Sequence, residues 1–534
     1  VGEKLARTRR KQTQTAVTPE PSFLFLHDSD TKTNELVGDN VRPRTIRFAP
    51  DTMARKKKKQ SEEKKEEGKA RRLLRRFLEE AHSRSRRETS RYKRFKLWVW
   101  RGWLYALAWA AEATWEKLLG LSALAVAVLV VVFLLPQEKS PEHGLEHTVD
   151  IESPDFLPTI TGATGAATTA GNKIDILTNG SHIYPAMLDA ISQAQHSITL
   201  EAFIFWDGDV GKKFADALAA KARAGVPVRL LLDSVGSARY KSFEVTRQLE
   251  KAGCRIGWYH PIKLLLLNRF DNRTHRELLI VDGRVGFTGG AGIADHWSGD
   301  AENPDHWRDT SVRVEGPAVS TLQTAFSLKW LETTEELISG PDYFPAVAQA
   351  GTLSIHTVLS EPETRSSPAR ILYFLSIMSA RKSILIANPY FVPDPKAIEL
   401  LRDARKRGVE VKIMVAGDHN DHTIARRNSS RLYGQLLEAG VEIYEYDRTM
   451  MHHKYMVCDG VWSTIGTINF DNLSFALNDE DNVCVYDQNF AAQLTQMFDE
   501  DTAACQKIDL AKWRDRGLVT RAVEWFSFLF KRVT

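Results

Sequence analysis

Cysteine is scarce in this sequence: Cys254, Cys458, Cys484 and Cys505 are the only four among 534 residues. They make neither a C-x-x-C pair nor a zinc-type spacing, so no cysteine-based metal centre is legible. Buried apolar thiols are the expectation, with one disulfide open to an exported body. A second lack is positive charge in the body of the chain. The net charge is +4, yet residues 53–101 alone hold 20 Lys and Arg against 7 Asp and Glu, which leaves the remainder negative. A mildly acidic body with a basic tail argues against a nucleic-acid-binding core. A third lack is charge of either sign between Leu118 and Leu135, a run of 18 residues. The chain also exceeds what one hydrophobic core organises, so two or more domains are expected.

The N-terminal third follows from these features. Residues 1–52 show no helical or strand period and read as disordered or as text outside the native chain, with Met53 an alternative start. Residues 53–96 are basic, rich in helix formers and poor in apolar residues. They predict a solvated charged helix or a polybasic segment held against anionic lipid. Residues 97–117 carry five Trp and one Tyr, the composition of an interfacial aromatic helix. Residues 118–135 would be about 27 Å long as a helix, which predicts a transmembrane helix ended by Pro136. The basic N-side and acidic C-side put the N-terminus in the cytoplasm and, with one span, the body on the outer face of the plasma membrane. A second crossing by residues 97–117 would return the body to the cytoplasm but would bury Arg101, Glu112 and Glu116. Residues 136–172, rich in Gly, Ala, Thr, Ser and Pro, read as a flexible linker.

From about Lys173 short apolar strands alternate with amphipathic helices, the rhythm of an α/β fold. The order then returns. SITLEAFIF from Ser197 is matched by SILIANPYF from Ser383, GVPVRLLLD from Gly225 by GVEVKIMVA from Gly408, and AGCRIGWY from Ala252 by AGVEIYEY from Ala439. Their offsets of 186, 183 and 187 residues mark a duplicated domain. A first half is expected over 173–345, a second over 346–510, and an amphipathic tail over 511–534. Each half has one further element, THRELLIVDGRVGFTGG from Thr274 and MHHKYMVCDGVWSTIGTINF from Met451. Aligning His275 with His452 puts Asp282 on Asp459 and Gly289 on Gly466.

Read as extended chain, the second element places His452 and Lys454 on one face and His453 and Tyr455 on the other. A His beside a Lys suits phosphate chemistry. The imidazole attacks phosphorus or moves a proton, and the ammonium neutralises non-bridging oxygens. Gly466, Thr467 and Asn469 follow as candidate phosphate-binding groups.

The repeated His-x-Lys-x4-Asp pattern is complete at His452, Lys454 and Asp459 and is followed by GTINFDNLSFALNDE. It resembles the phospholipase D superfamily. ITLEAFIF, GRVGFTGGAGIADHW and HWRDTSVRVEGPAV are similar to its bacterial cardiolipin synthase branch. The resemblance covers residues 173–510. It implies two duplicated phospholipase D-like α/β halves with pseudo-twofold symmetry behind the transmembrane helix, both histidines in one cleft, and no metal or other cofactor. It further implies His275 as nucleophile and His452 as acid/base, or the reverse. Asp282 and Asp459 complete the motif, holding strand and turn more than performing chemistry. Asp309 in WRDT and Glu480 in NDED are the carboxylates expected to orient the imidazoles, and Asn469 is expected to contact phosphate.

The first copy departs from the pattern. Glu277 stands where the family has Lys, and Gly292 stands at the place of Asn469. A carboxylate facing phosphate replaces attraction with repulsion, so a much less active enzyme is expected, or a catalytically inactive lipid-binding relative. The resemblance implies cardiolipin made from phosphatidylglycerol through a phosphohistidine at the bacterial inner membrane, with hydrolysis to phosphatidic acid as the alternative. Phospholipid and membrane are the implied partners, and nucleic acid is not. The tail RAVEWFSFLFKRVT groups Trp525, Phe526, Phe528, Leu529 and Phe530 near Lys531 and Arg532, suiting a membrane interface or a docked core helix.

Overall fold

The computed structural model describes residues 149–238, 240–261, 272–361 and 367–528, with the isolated positions 120 and 122. The readings for residues 1–52, 53–96, 97–117 and 118–135 thus lie outside the described residues, those two positions apart. Among the described residues no helix is long and apolar enough to cross a membrane.

The first half supplies β1 (Thr168–Thr178), β2 (Ile198–Ala202), β3 (Val228–Asp233), β4 (Arg255–Tyr259), β5 (Leu278–Val281), β6 (Val285–Gly289) and β7 (Thr310–Glu315). The second supplies β8 (Leu353–Ser360), β9 (Ser383–Ala387), β10 (Glu410–Ala416), β11 (Glu442–Tyr446), β12 (Tyr455–Cys458), β13 (Trp462–Gly466), β14 (Glu480–Tyr486) and the short β15 (Cys505–Lys507). Outward from the seam between β1 and β8, the first half runs β1-β7-β6-β5-β2-β3-β4. The second repeats that order as β8-β14-β13-β12-β9-β10-β11, with β15 added at its edge. The β2–β3–β4 and β9–β10–β11 pairings are parallel. Crossover helices such as Asp209–Arg223 and Pro395–Lys406 make the connections that parallel pairing requires.

Helices cover both faces of the sheet, so the strands read as apolar runs, not as alternating text. Leu278 and Ile280 of β5 enter a central core, while Leu279 and Val281 enter the outer core of the first half. In β12, Tyr455 and Val457 face the central core, and Met456 and Cys458 face the outer core of the second half. Helices Val319–Thr334 and Gln488–Thr502, one from each half, fill the central core with Phe326, Trp330, Phe490 and Phe498. Each such aromatic contributes on the order of 2 kcal/mol by leaving water. Cys254, Cys458 and Cys484 are buried, Cys505 is half-buried, and all four are free thiols.

One expectation is corrected. Residues 149–172 are not linker. Phe156–Thr164 is a helix whose Phe156 and Ile160, with Ile151, lie in the outer core of the second half. Phe156 meets Trp462 edge-on at 5.1 Å. Thr168, Thr169 and Asn172 already pair with β8. Four-residue spacing gives the helix an apolar face, which the surrounding Gly, Ala and Thr diluted in composition.

Candidate active site

The segments leading into β5 and β12 are each bound by the opposite half. The His275 N–H donates to the Asp479 carbonyl at 2.9 Å, and the Asp479 N–H donates to Arg273 at 2.9 Å. In the second copy the His452 N–H donates to Arg308 at 2.7 Å, and the Arg308 N–H donates to Met450 at 2.8 Å. These bridges set each imidazole beside a carboxylate of the other half. His275 Nδ1 lies 3.2 Å from Glu480 Oε2, and His452 Nδ1 lies 2.8 Å from Asp309 Oδ2. With Nδ1 engaged, the His275 ring has Nε2 left for a ligand, while His452 Nε2 lies 3.0 Å from Lys454 Nζ.

Both carboxylates are themselves held. Trp297 Nε1 donates to Asp309 Oδ2 at 2.8 Å. Ser474 Oγ donates to Glu480 Oε1 at 2.6 Å and Thr467 Oγ1 to Oε2 at 2.5 Å. Burial alone would raise the Asp309 pKa. His452, Lys454 and His453 outweigh burial and hold it below the usual range. Burial, then the Lys454 charge, lowers the pKa of His452, so its imidazole rests neutral at neutral pH.

Lys454 Nζ stands 3.0 Å from both ring nitrogens of His452. Burial lowers its pKa, while the charges of Asp309, Glu480, Asp421 and Glu277 oppose that shift. His453 turns the other way, to Asp501 at 3.1 Å and Thr310 at 2.7 Å.

Glu277 occupies the position equivalent to Lys454. Its Oε1 accepts the N–H groups of Phe203 and Ile204, each at 3.2 Å, just past β2. Burial pushes its pKa well above the carboxylate range, against those N–H groups and Lys454. At position 292 a Cβ would meet the Ile204 side chain at 3.0 Å and the Trp297 ring at 3.1 Å, so a larger residue there requires its neighbours to give by a few tenths of an ångström. Its counterpart Asn469 is buried, and Oδ1 of its amide has no hydrogen-bond partner among the described residues.

Three expected members stand apart from this cluster, and a fourth, Thr467, joins it only through Glu480. Asp282, at φ +53°, accepts the N–H groups of Gln195, His196 and Ser197 at 2.9, 2.7 and 2.9 Å. Asp459, at φ +54°, accepts those of Arg381, Lys382 and Ser383 at 2.8, 2.7 and 2.9 Å. Each ties a hairpin turn to the start of a neighbouring strand, which removes it from the reacting set. Gly466 lies inside β13, where a Cβ would strike the Asp481 carbonyl at 2.2 Å. Thr467 spends its hydroxyl on Glu480.

Sequence reasoning missed Trp297, Ser474 and an aromatic wall. The rings of Trp307, Trp297 and Tyr390 lie 5.3, 5.5 and 5.9 Å from that of His452. The His-Trp doublets at 296–297 and 306–307 were the available signal.

Two imidazoles, each with a carboxylate, and one ammonium can displace a group at phosphorus and carry its protons. The family model described as cardiolipin synthase, PLD-like domain, matches residues 187–327 and 374–502. A cardiolipin synthase of Geobacillus thermodenitrificans is 36% identical over 357 residues, covering 66% of this chain and 71% of that protein. The major cardiolipin synthase of Bacillus subtilis is 34% identical, covering 69% and 77%. Cardiolipin synthase 2 of Staphylococcus epidermidis is 31% identical, covering 79% and 93%. Among solved structures, phosphatidylserine synthase of Haemophilus influenzae superposes with a TM-score of 0.54 at 13% identity, over 71% of this chain and 100% of that one. That likeness concerns the fold alone.

Proposed function

The chain belongs to the cardiolipin synthase family of phospholipase D-like phosphatidyltransferases, and on that premise we propose that it joins two phosphatidylglycerol molecules into cardiolipin and glycerol. The observation that carries this reading is the crosswise pairing of His275 with Glu480 and His452 with Asp309. In the reaction, His275 Nε2 attacks the donor phosphorus while the bond to the headgroup glycerol breaks. The departing alkoxide takes the proton of His452. Burial and Lys454 favour the neutral form of His452, and the arriving phosphodiester anion favours proton uptake. The acceptor hydroxyl then gives its proton to His452, its oxygen bonds to phosphorus, and the P–N bond to His275 breaks. Lys454 and Asn469 hold the non-bridging oxygens. The two halves act about a pseudo-twofold axis, with Glu277 weakening phosphate binding on the first side.

The body works at a membrane, anchored by residues 118–135 as a single span with the N-terminus cytoplasmic and the body on the outer face of the bacterial inner membrane. The helix Leu518–Phe528 supports the membrane part of this reading. Two of its polar residues, Glu524 and Ser527, turn inward, with Glu524 held by Ser430 at 3.3 Å and by Arg516 at 3.0 Å. Leu518, Val519, Trp525 and Phe526 remain more than half exposed, at 81, 79, 58 and 59%. An apolar face presented to the outside beside Arg521 suits a lipid interface.

The test is product analysis by mass from phosphatidylglycerol vesicles, with the unaltered chain, Glu277→Lys and His452→Ala. Cardiolipin from the unaltered chain, lost in His452→Ala, is the expected result. Phosphatidic acid alone would replace the synthase with a hydrolase. Cardiolipin from Glu277→Lys only would make the unaltered chain a disabled, lipid-binding form, the second reading that Glu277 favours.

A further inference from the structure

One group of side chains near His452 is not used by that mechanism. The ring of His296 lies 4.2 Å from Trp307 and 5.3 Å from Trp206, and Trp307 in turn lies 5.3 Å from His452. Lys241 Nζ sits 3.9 Å above the Trp206 ring. The order from catalytic imidazole outward is therefore His452, Trp307, His296, Trp206, Lys241. The wall is fixed from behind. Trp206 Nε1 donates to the Gly236 carbonyl at 2.7 Å, and Trp297, bound to Asp309, lies 4.1 Å from His296 with the rings tilted by 37°. His296 Nε2 is buried and has no hydrogen-bond partner among the described residues. Burial, then His452, pushes the His296 pKa down to about 4, with Asp421 and Asp295 opposing and Lys241 adding to the shift. The ring is thus neutral at neutral pH, able to give or take a hydrogen bond without adding charge.

Resting on the proposed reaction, we propose that Trp206, His296 and Trp307, with Lys241 at the outer end, form the subsite for the acceptor phospholipid headgroup. An acceptor of this class carries a free hydroxyl, a short polyol with C–H faces, and its own phosphate. The C–H faces lie on the indole rings, a hydroxyl meets His296, and the phosphate meets Lys241. That arrangement delivers the attacking hydroxyl to His452, which takes its proton as the oxygen displaces His275 from phosphorus. Water has no C–H face and no phosphate, and free glycerol has no phosphate. The wall is therefore a device that favours lipid acceptor over both. A site built around a substrate group rejects analogues lacking it more strongly than an apolar pocket does.

The experiment uses the full chain with phosphatidylglycerol vesicles and isotopically labelled glycerol. It resolves cardiolipin, labelled phosphatidylglycerol and phosphatidic acid, the products of lipid, glycerol and water as acceptor. Product ratios are internal to each sample and independent of the folded fraction. Lys241→Ala is expected to lower the ratio of cardiolipin to labelled phosphatidylglycerol about tenfold, the loss of one charge-assisted contact. His296→Ala is expected to raise phosphatidic acid relative to cardiolipin by about tenfold, with His296→Gln restoring part of the difference. If all three products form and these ratios hold within about twofold in every variant, the subsite is overturned and the reaction stands. If the unaltered chain forms none of them, the reaction itself is overturned and the subsite falls with it.

Discussion

His452 Nδ1 lies 2.8 Å from Asp309 Oδ2, although the two residues are 143 positions apart and come from different halves. The same relationship joins His275 and Glu480, 205 positions apart, at 3.2 Å. Each half owns a histidine and the carboxylate for the other half's histidine. A half on its own therefore completes neither pair, and the second domain supplies part of the first domain's chemistry.

Asp309→Asn keeps the size and a hydrogen-bond acceptor but removes the charge that fixes His452 as an Nδ1–H donor. The turnover number is expected to fall about 10²- to 10⁴-fold, the range of general acid–base contributions, with KM changed much less. Glu480→Gln should do the same through His275. Phosphohistidine trapping with labelled lipid checks the assignment: Glu480→Gln should trap less and Asp309→Asn should release more slowly. An equal loss in KM for either variant would mean that the carboxylate binds substrate instead.

Much of this site was legible in the sequence because duplication made it so. A lone His-x-Lys carries little information, whereas His275 and His452 at one offset, with Asp309 and Glu480 ahead of matching strands, expose a repeated unit. What stayed hidden depends on side-chain direction and on chain crossing. The Thr467 hydroxyl turns to Glu480, and no pattern in GTINF says so. The motif marks Asp282 and Asp459 as holders of strand and turn, but not which chain they hold: each accepts three successive backbone N–H groups ahead of a neighbouring strand from a left-handed turn position. Residues 149–172 passed for linker since Ile151, Phe156 and Ile160 are too few to dominate a composition, yet each is almost fully buried.

Asp459→Ala should therefore act on stability. The variant loses three backbone N–H partners near Ser383 and places alanine at φ +54°. A loss of about 2–4 kcal/mol is expected in chemical denaturation, with Asp459→Asn losing less because asparagine tolerates the left-handed region. Specific activity per folded molecule should stay within a few-fold of the unaltered chain. A large drop in that quantity, with unchanged stability, would return Asp459 to the reacting set.

The exposed face of Leu518–Phe528 makes a prediction about lipid. Trp525→Ala combined with Phe526→Ala removes about 3 kcal/mol or more of apolar transfer from water if both rings enter the interface. Vesicle flotation of a body lacking residues 1–148 should then lose most of its binding to anionic vesicles. Such a body keeps residues 149–172 and so keeps the helix that packs on the second half. Unchanged flotation would place the lipid contact elsewhere on the body.

Glu277 gives the sharpest test, because its effect has a direction in pH. Burial raises its pKa well above the ordinary carboxylate value, so the group is neutral at low pH and gains its negative charge late. Ionisation adds repulsion toward a phosphodiester, so kcat/KM should fall as pH rises through the folded-state pKa. Glu277→Gln never ionises and should lack that falling limb. Glu277→Lys reverses the sign of the charge and should raise kcat/KM by about 10- to 100-fold, the scale of one electrostatic contact to a transferring phosphoryl group. Stability carries the same signature. The folded pKa lies above the unfolded value of about 4.3, so the unfolded chain releases this proton first. Folding free energy should decline as pH rises between those two values, and Glu277→Gln should flatten the decline. If the glutamine variant kept the falling limb in both activity and stability, other groups would be its source, and the carboxyl at this position would be no handicap to the enzyme.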